Sequence, residues 1–241
     1  MPAQIYKLTL DQIQDEHFFT QILSKDITNN YYWCDDWSEE LYVELAKKGF
    51  VSTTYDTKDG LVLLPELQYE YGILDFKNLH ISKKVQKLIK EDKYTLSFNT
   101  KFEEVISELS KQHKYNWLKD EYVELLNNLY LKRDNTNAFK IYAVELIDKD
   151  TKELIAGEIG YSIGKTYTSL SGFSDKDKKY NNCGKLQLVL LSQHLQNKGF
   201  SFWNLGHPHM EYKKKLGSIS YKREIFLRRW EEATKHNTIE I

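Results

Sequence analysis

Between residues 39 and 48 the apolar positions Leu41 and Leu45 share one helical face, with Ser38 placed to cap the start and Gly49 to stop it. The period then falls to two. Residues 50–56 and 61–64 flank Lys58-Asp59-Gly60, a turn signal that predicts a hairpin. Helical spacing returns over 82–90 (Val85, Leu88, Ile89), 101–112 (Phe102, Val105, Ile106, Leu109) and 118–131 (Tyr122, Leu125, Leu126, Leu129). Each apolar stripe predicts a face buried in a core. Strand-like segments follow at 139–148, 153–162 and 165–173, the first two joined by a turn at Lys149-Asp150, and an antiparallel meander is the simplest reading. The remainder predicts a helix over 184–198 ended by Gly199, a strand over 200–206, a short helix over 208–216 and a last strand over 218–228.

Composition narrows the function. A chain of 241 residues can bury a full core, as one large domain or as a small domain fused to a larger one. With aromatics at 14% and three prolines, disorder is expected only at the ends and over 132–138. No internal repeat is evident. Cys34 and Cys183 form no C-x-x-C pair, which argues against a zinc or thioredoxin-like motif and suits a reducing compartment. Residues 1–20 lack the apolar core of a signal peptide, and nothing approaches the ~18 apolar residues of a membrane span. A cytoplasmic protein with no membrane partner is expected.

A net charge of −1 does not mark a dedicated nucleic-acid binder, so local charge matters more. Three of the four arginines fall within 223–229, close to a run of lysines. Lys213, Lys214, Lys215, Lys222, Arg223 and Arg228 are the candidate phosphate-facing residues; the competing reading is a solvated face in a lysine-rich chain.

Several segments carry a family likeness. Leu79-His80-Ile81-Ser82, Trp117, Val144-Glu145, Leu154-Ile155-Ala156-Gly157 with Gly160, Ser171-Gly172-Phe173-Ser174, Asn182 with Lys185, and Leu216-Gly217 occur in a fixed order. Upstream stand Asp36-Trp37-Ser38 and Lys48-Gly49-Phe50. Over about residues 31–230 the chain resembles the leucyl/phenylalanyl-tRNA–protein transferases. The resemblance implies an α+β, GNAT-type mixed sheet flanked by helices, with a small N-terminal α/β subdomain over 1–78 and the acyltransferase domain over 79–241. It also implies transfer of an amino acid from charged tRNA to a protein N-terminal amine, with neither metal nor coenzyme A. It extends substrate-binding roles to Glu145, Tyr161, Leu170, Gly172 and Trp203.

Departures from the family pattern fall where its chemistry lies. The glutamate of the family's G-E-S-M-F-S is Leu170 here, and its D-x-Q reads Asn204-Leu205-Gly206, or, in an ungapped register, Leu205 and His207. Its methionine in a pocket for leucyl or phenylalanyl side chains is Glu158. A carboxylate there calls for a cationic donor, an internal partner or a role as base, unless strand alternation turns it to solvent. The aromatic and proline segments that would stack the terminal adenosine are missing, and Tyr55, Tyr69 or Tyr71 are the candidate substitutes. Glu158, Asn204 and His207 are thus the candidate catalytic residues, with Asn204 orienting the ester.

His207-Pro208-His209 lacks the further ligands a metal would need and also reads as a surface turn. Residues 178–185 offer only Gly184 for a pyrophosphate-binding loop, which weighs against acetyl-CoA without excluding some phosphate binding. Ser169 and Ser171 have no evident base and read as strand hydroxyls. Two rivals remain: a coenzyme-A-dependent N-acyltransferase on the same fold, and a homologue that binds tRNA or a peptide terminus without catalysis. The donor, the acceptor and the oligomeric state are open.

Overall fold

The computed structural model describes residues 5–112, 117–133 and 138–241, so most of the 132–138 stretch expected to be disordered lies outside the described residues. In chain order the elements are β1 (Tyr6–Lys7), α1 (Leu10–Gln14), α2 (Glu16–Phe18) running into a π-helical turn (Phe19–Leu23), β2 (Tyr32–Trp33) and α3 (Glu39–Lys47). The hairpin strands β3 (Val51–Thr57) and β4 (Gly60–Glu66) follow, then β5 (Glu70–Leu74), α4 (Lys83–Glu91), β6 (Tyr94–Phe98), α5 (Phe102–Gln112) and α6 (Asp120–Leu131). Next come β7 (Lys140–Asp148), β8 (Leu154–Ile163), β9 (Thr166–Ser174), α7 (Cys183–Asn197), β10 (Phe202–Asn204), α8 (Glu211–Leu216), β11 (Ile219–Lys222) and α9 (Arg223–Thr234).

Local chemistry sets most of these ends. The Ser38 hydroxyl accepts the Leu41 amide at 3.3 Å to start α3, and Gly49, at φ +86°, ends it in a conformation that side chains disfavour. Seven strands form one sheet in the order β11-β5-β10-β9-β8-β7-β6. Neighbours run antiparallel except β9 and β10, which are parallel. Helices cover both faces. One core packs α3, α5, α6 and α9 through residues such as Leu45, Leu109, Leu125 and Trp230; the other packs α4 and α7 through Val85, Leu186 and Leu195.

The meander expected over 139–173 is present. The strand expected over 218–228 is not: only Ile219–Lys222 is extended, and a helix takes over at Arg223. Its buried residues Arg223, Phe226, Trp230 and Ala233 recur every three or four positions, a spacing that strand alternation cannot put on one face. The large sheet also draws β5 from before residue 79, between β11 and β10, so the expected 1–78 segment contributes a strand to the sheet of the 79–241 segment. Among the described residues no helix is long and apolar enough to cross a membrane.

Candidate active site

The sheet opens in its interior. Strands β9 and β10 pair only through Thr166, Thr168 and the residue between them, after which β9 runs on to Ser174 while β10 has ended. Asn204 makes that ending: its Oδ1 accepts the Gly206 amide at 2.9 Å and its Nδ2 lies 3.4 Å from the Thr168 hydroxyl. The chain therefore turns out of the sheet at Leu205. The register of β8 and β9 shifts between Ile159 and Gly160, leaving Leu170 as an extra residue just where β9 loses its neighbour. A bulge bends the strand that carries it, here at the point where pairing with β10 has ended.

Into this gap opens a cleft of about 630 Å³. β9 supplies one wall (Ser169 to Ser174), the start of α7 another (Gly184, Lys185, Gln187), and Leu205 with Met210, Tyr212 and Lys213 a third. Glu158 lies at the bottom, only 2% exposed, so it does not point to solvent. Its Oε1 accepts hydrogen bonds from the Tyr167 hydroxyl (3.0 Å) and the Ser169 hydroxyl (2.7 Å), and its Oε2 from Gln187 Nε2 (3.3 Å). Burial raises the Glu158 pKa, and these donors oppose the rise. Trp203 Nε1 donates to Ser169 at 2.9 Å and braces the network from behind.

Lys213 is in the cleft, not on the basic surface. Its Nζ donates to the Leu205 and His207 carbonyls, and burial lowers its pKa to about 8 while the Glu158 charge pulls it up. Of the other expected phosphate-facing residues, Lys214, Lys215, Lys222 and Arg228 are exposed. Arg223 is not: its guanidinium is buried and donates to five backbone carbonyls, those of Leu23, Asp26, Asn29, Leu67 and Gln68.

The remaining expected residues divide. Leu170 and Gly172 line the cleft. Asn204 and Trp203 shape it from behind. Glu145 is elsewhere, accepting the Thr100 (2.8 Å) and Lys101 (2.7 Å) amides just ahead of α5. Tyr161, three positions from Glu158 on the same strand, faces the opposite core and stacks on Phe139 at 4.9 Å. Tyr55 is exposed on the hairpin, Tyr69 is exposed beside Arg223, and Tyr71 is buried against Phe226; none lines the cleft. The aromatics at the cleft are Trp117, Phe173 and Tyr212. His207 is about half exposed, with Nε2 2.9 Å from Glu66 Oε2.

Sequence reasoning did not single out Glu66, Tyr167 or Gln187. Gln187 had a signal: it is an amide among the mostly apolar buried positions of α7. Among the described residues no group of three or more His, Cys, Asp or Glu could hold a metal.

A mixed sheet flanked by helices, with a parallel pair that parts over a bulge to admit a cleft, is the GNAT-type architecture expected from the sequence. The profile of the family described as leucyl/phenylalanyl-tRNA protein transferase matches residues 73–231, and the chain belongs to that family. The upstream motifs at 36–38 and 48–50 lie outside the matched residues.

Among relatives, the leucyl/phenylalanyl-tRNA–protein transferase of Maridesulfovibrio salexigens is 28% identical over 68% of this chain and 65% of its own length. The protein of the same name from Pseudoalteromonas atlantica is 28% identical over 68% of this chain and 66% of its own. The similarity thus spans about two thirds of each relative. Solved structures with similarity include FemX (TM-score 0.48, 10% identity, 80% of this chain and 70% of that one) and L-PGS from Bacillus licheniformis (TM-score 0.43, 12% identity, 85% and 72%).

Proposed function

We propose that the chain moves an aminoacyl group from charged tRNA to the N-terminal amine of a protein, in the cleft between β9 and β10. The observation that carries this reading is the parting of those strands beyond Thr168. Beyond Thr168 β9 has no β10 neighbour, and the gap so opened is large enough to admit the aminoacyl ester beside the strand, where fixed backbone dipoles can act on a developing oxyanion. Family membership supports the same chemistry.

The reaction is ester aminolysis. The acceptor nitrogen attacks the ester carbonyl carbon, a C–N bond forms, the C–O bond to the terminal ribose breaks, and the amine's proton ends on the released ribose hydroxyl. An α-amine has a reference pKa near ~8 and needs little base strength, so orientation and oxyanion stabilisation carry most of the rate. His207, fixed by Glu66 beside the cleft wall, is the proton acceptor. Lys214, Lys215, Lys222 and Arg228 meet the acceptor stem, and the whole reaction is cytoplasmic. Incubation with total tRNA charged with labelled amino acids and an N-terminal peptide should label the peptide; no label from any of the twenty would defeat the proposal.

One observation favours a second reading. The start of α7 reaches the cleft at Gly184 and Lys185, and no side chain caps it, as a pyrophosphate site would require. An acyl-CoA enzyme would be stabilised against heat by acetyl-CoA and not by an aminoacyl-adenosine analogue.

A further inference from the structure

A carboxylate has about four acceptor sites, and three of Glu158's are filled by Tyr167, Ser169 and Gln187. All three donors are neutral. They hold the group in place without neutralising it, and the unfilled site is on Oε2, which takes only the Gln187 amide. The arrangement is built in depth. Trp203 braces Ser169, and the Tyr167 hydroxyl occupies the space beside Gly160, where any side chain's Cβ would stand 2.2 Å from it. Lys213 lies near enough to feel the Glu158 charge, but its hydrogen bonds go to the Leu205 and His207 carbonyls.

Whatever group seats on this floor must satisfy Oε2. A hydrocarbon would strip the carboxylate of water and leave that acceptor empty, a penalty of about 1–3 kcal/mol, or roughly 5- to 150-fold in affinity. An N–H donor would complete the set.

We propose that the transferred acyl group carries a side chain ending in an N–H donor, an amide, ammonium or guanidinium, that hydrogen-bonds Glu158, and that hydrocarbon side chains are disfavoured. The inference rests on the reading that the cleft holds the acyl group of an aminoacyl donor. It concerns binding, so it is separable from turnover.

The test is calorimetric binding of non-hydrolysable aminoacyl-amide adenosines to the full chain, with lysyl, arginyl, glutaminyl and asparaginyl forms set against leucyl, phenylalanyl and methionyl forms. At least one N–H donor should bind about tenfold or more tightly than every hydrocarbon form, and Glu158→Met should erase or reverse that order. Equal or tighter binding of the leucyl or phenylalanyl form would overturn the inference, as would an unchanged preference in the variant or no binding by any member of the series. Should Glu158→Met fail to fold, the ranking with the unaltered chain decides alone. The expected ranking without peptide labelling in the transfer assay would contradict the transfer reaction and leave the pocket assignment standing.

Discussion

Glu158 and Lys213 are two buried ionisable residues in one cleft, and each is carried by a different kind of support. Glu158 relies on hydroxyl and amide donors, of which the Tyr167 hydroxyl in turn relies on Gly160. A Cβ at 160 would collide with the Tyr167 hydroxyl and with the Thr168 carbonyl (2.6 Å). Gly160→Ala should therefore cost about 1–3 kcal/mol in a denaturant melt and weaken donor binding, since Tyr167 is pushed off the carboxylate. Lys213 makes a pH-dependent contribution. Burial lowers its folded pKa to about 8, below the ordinary lysine value of 10.5, so between those values the unfolded chain binds the proton that the folded chain has released. Stability from this residue rises with pH across that window, by roughly 1 kcal/mol per pH unit at most, and the penalty of a buried ammonium is fully present below pH 8. Melts from pH 8 to 10 should show this rise in the native chain and a flatter profile in Lys213→Met; parallel profiles would contradict it. The motif alignment made Glu158 legible in the sequence, but not its partners, which come from β9 and α7. Lys213 read as part of the candidate phosphate-facing basic run. Successive helical residues turn by about 100°, so 213 faces inward while 214 and 215 face out, and a run of identical charges hides that difference.

At the scale of elements, periodicity located α3, the β3–β4 hairpin, α4 to α6, the meander and α7 within a few residues, because each buries one regular face. It failed at α9. The stretch from Ser218 to Lys222 alternates polar and apolar as a strand should, and the helix that follows hides its period behind exposed apolar Ile225 and buried polar Arg223. Strands β5 and β6 escaped notice, being five residues each and supplied with neighbours only by the folded sheet. Arg223 ties α9 to the N-terminal region through carbonyls that have little else to bind. Arg223→Ala is expected to lower unfolding free energy by about 3 kcal/mol or more, because several buried carbonyls lose their donor together. Arg228→Ala, at an exposed position four residues from Glu224, should change it by less than about 0.5 kcal/mol. Chemical denaturation of the two variants makes the comparison, and similar losses would contradict this account of the basic segment.

Across the whole molecule, one core joins the N-terminal helices to the large sheet, and β5 sits inside that sheet, so the N-terminal segment supports the strands that part. The Asn204 turn and the Leu170 bulge are the physical cause of the parting between β9 and β10, and neither has a sequence signature of its own. The most direct measurement is a crystal structure of the chain with a non-hydrolysable aminoacyl-amide adenosine. The account predicts the acyl carbonyl against the β9 backbone at 169–173, with the amino-acid side chain directed at Glu158. Ligand density outside this gap, such as in the cavity beside Arg228 and His236, with β9 and β10 unoccupied between them, would contradict it.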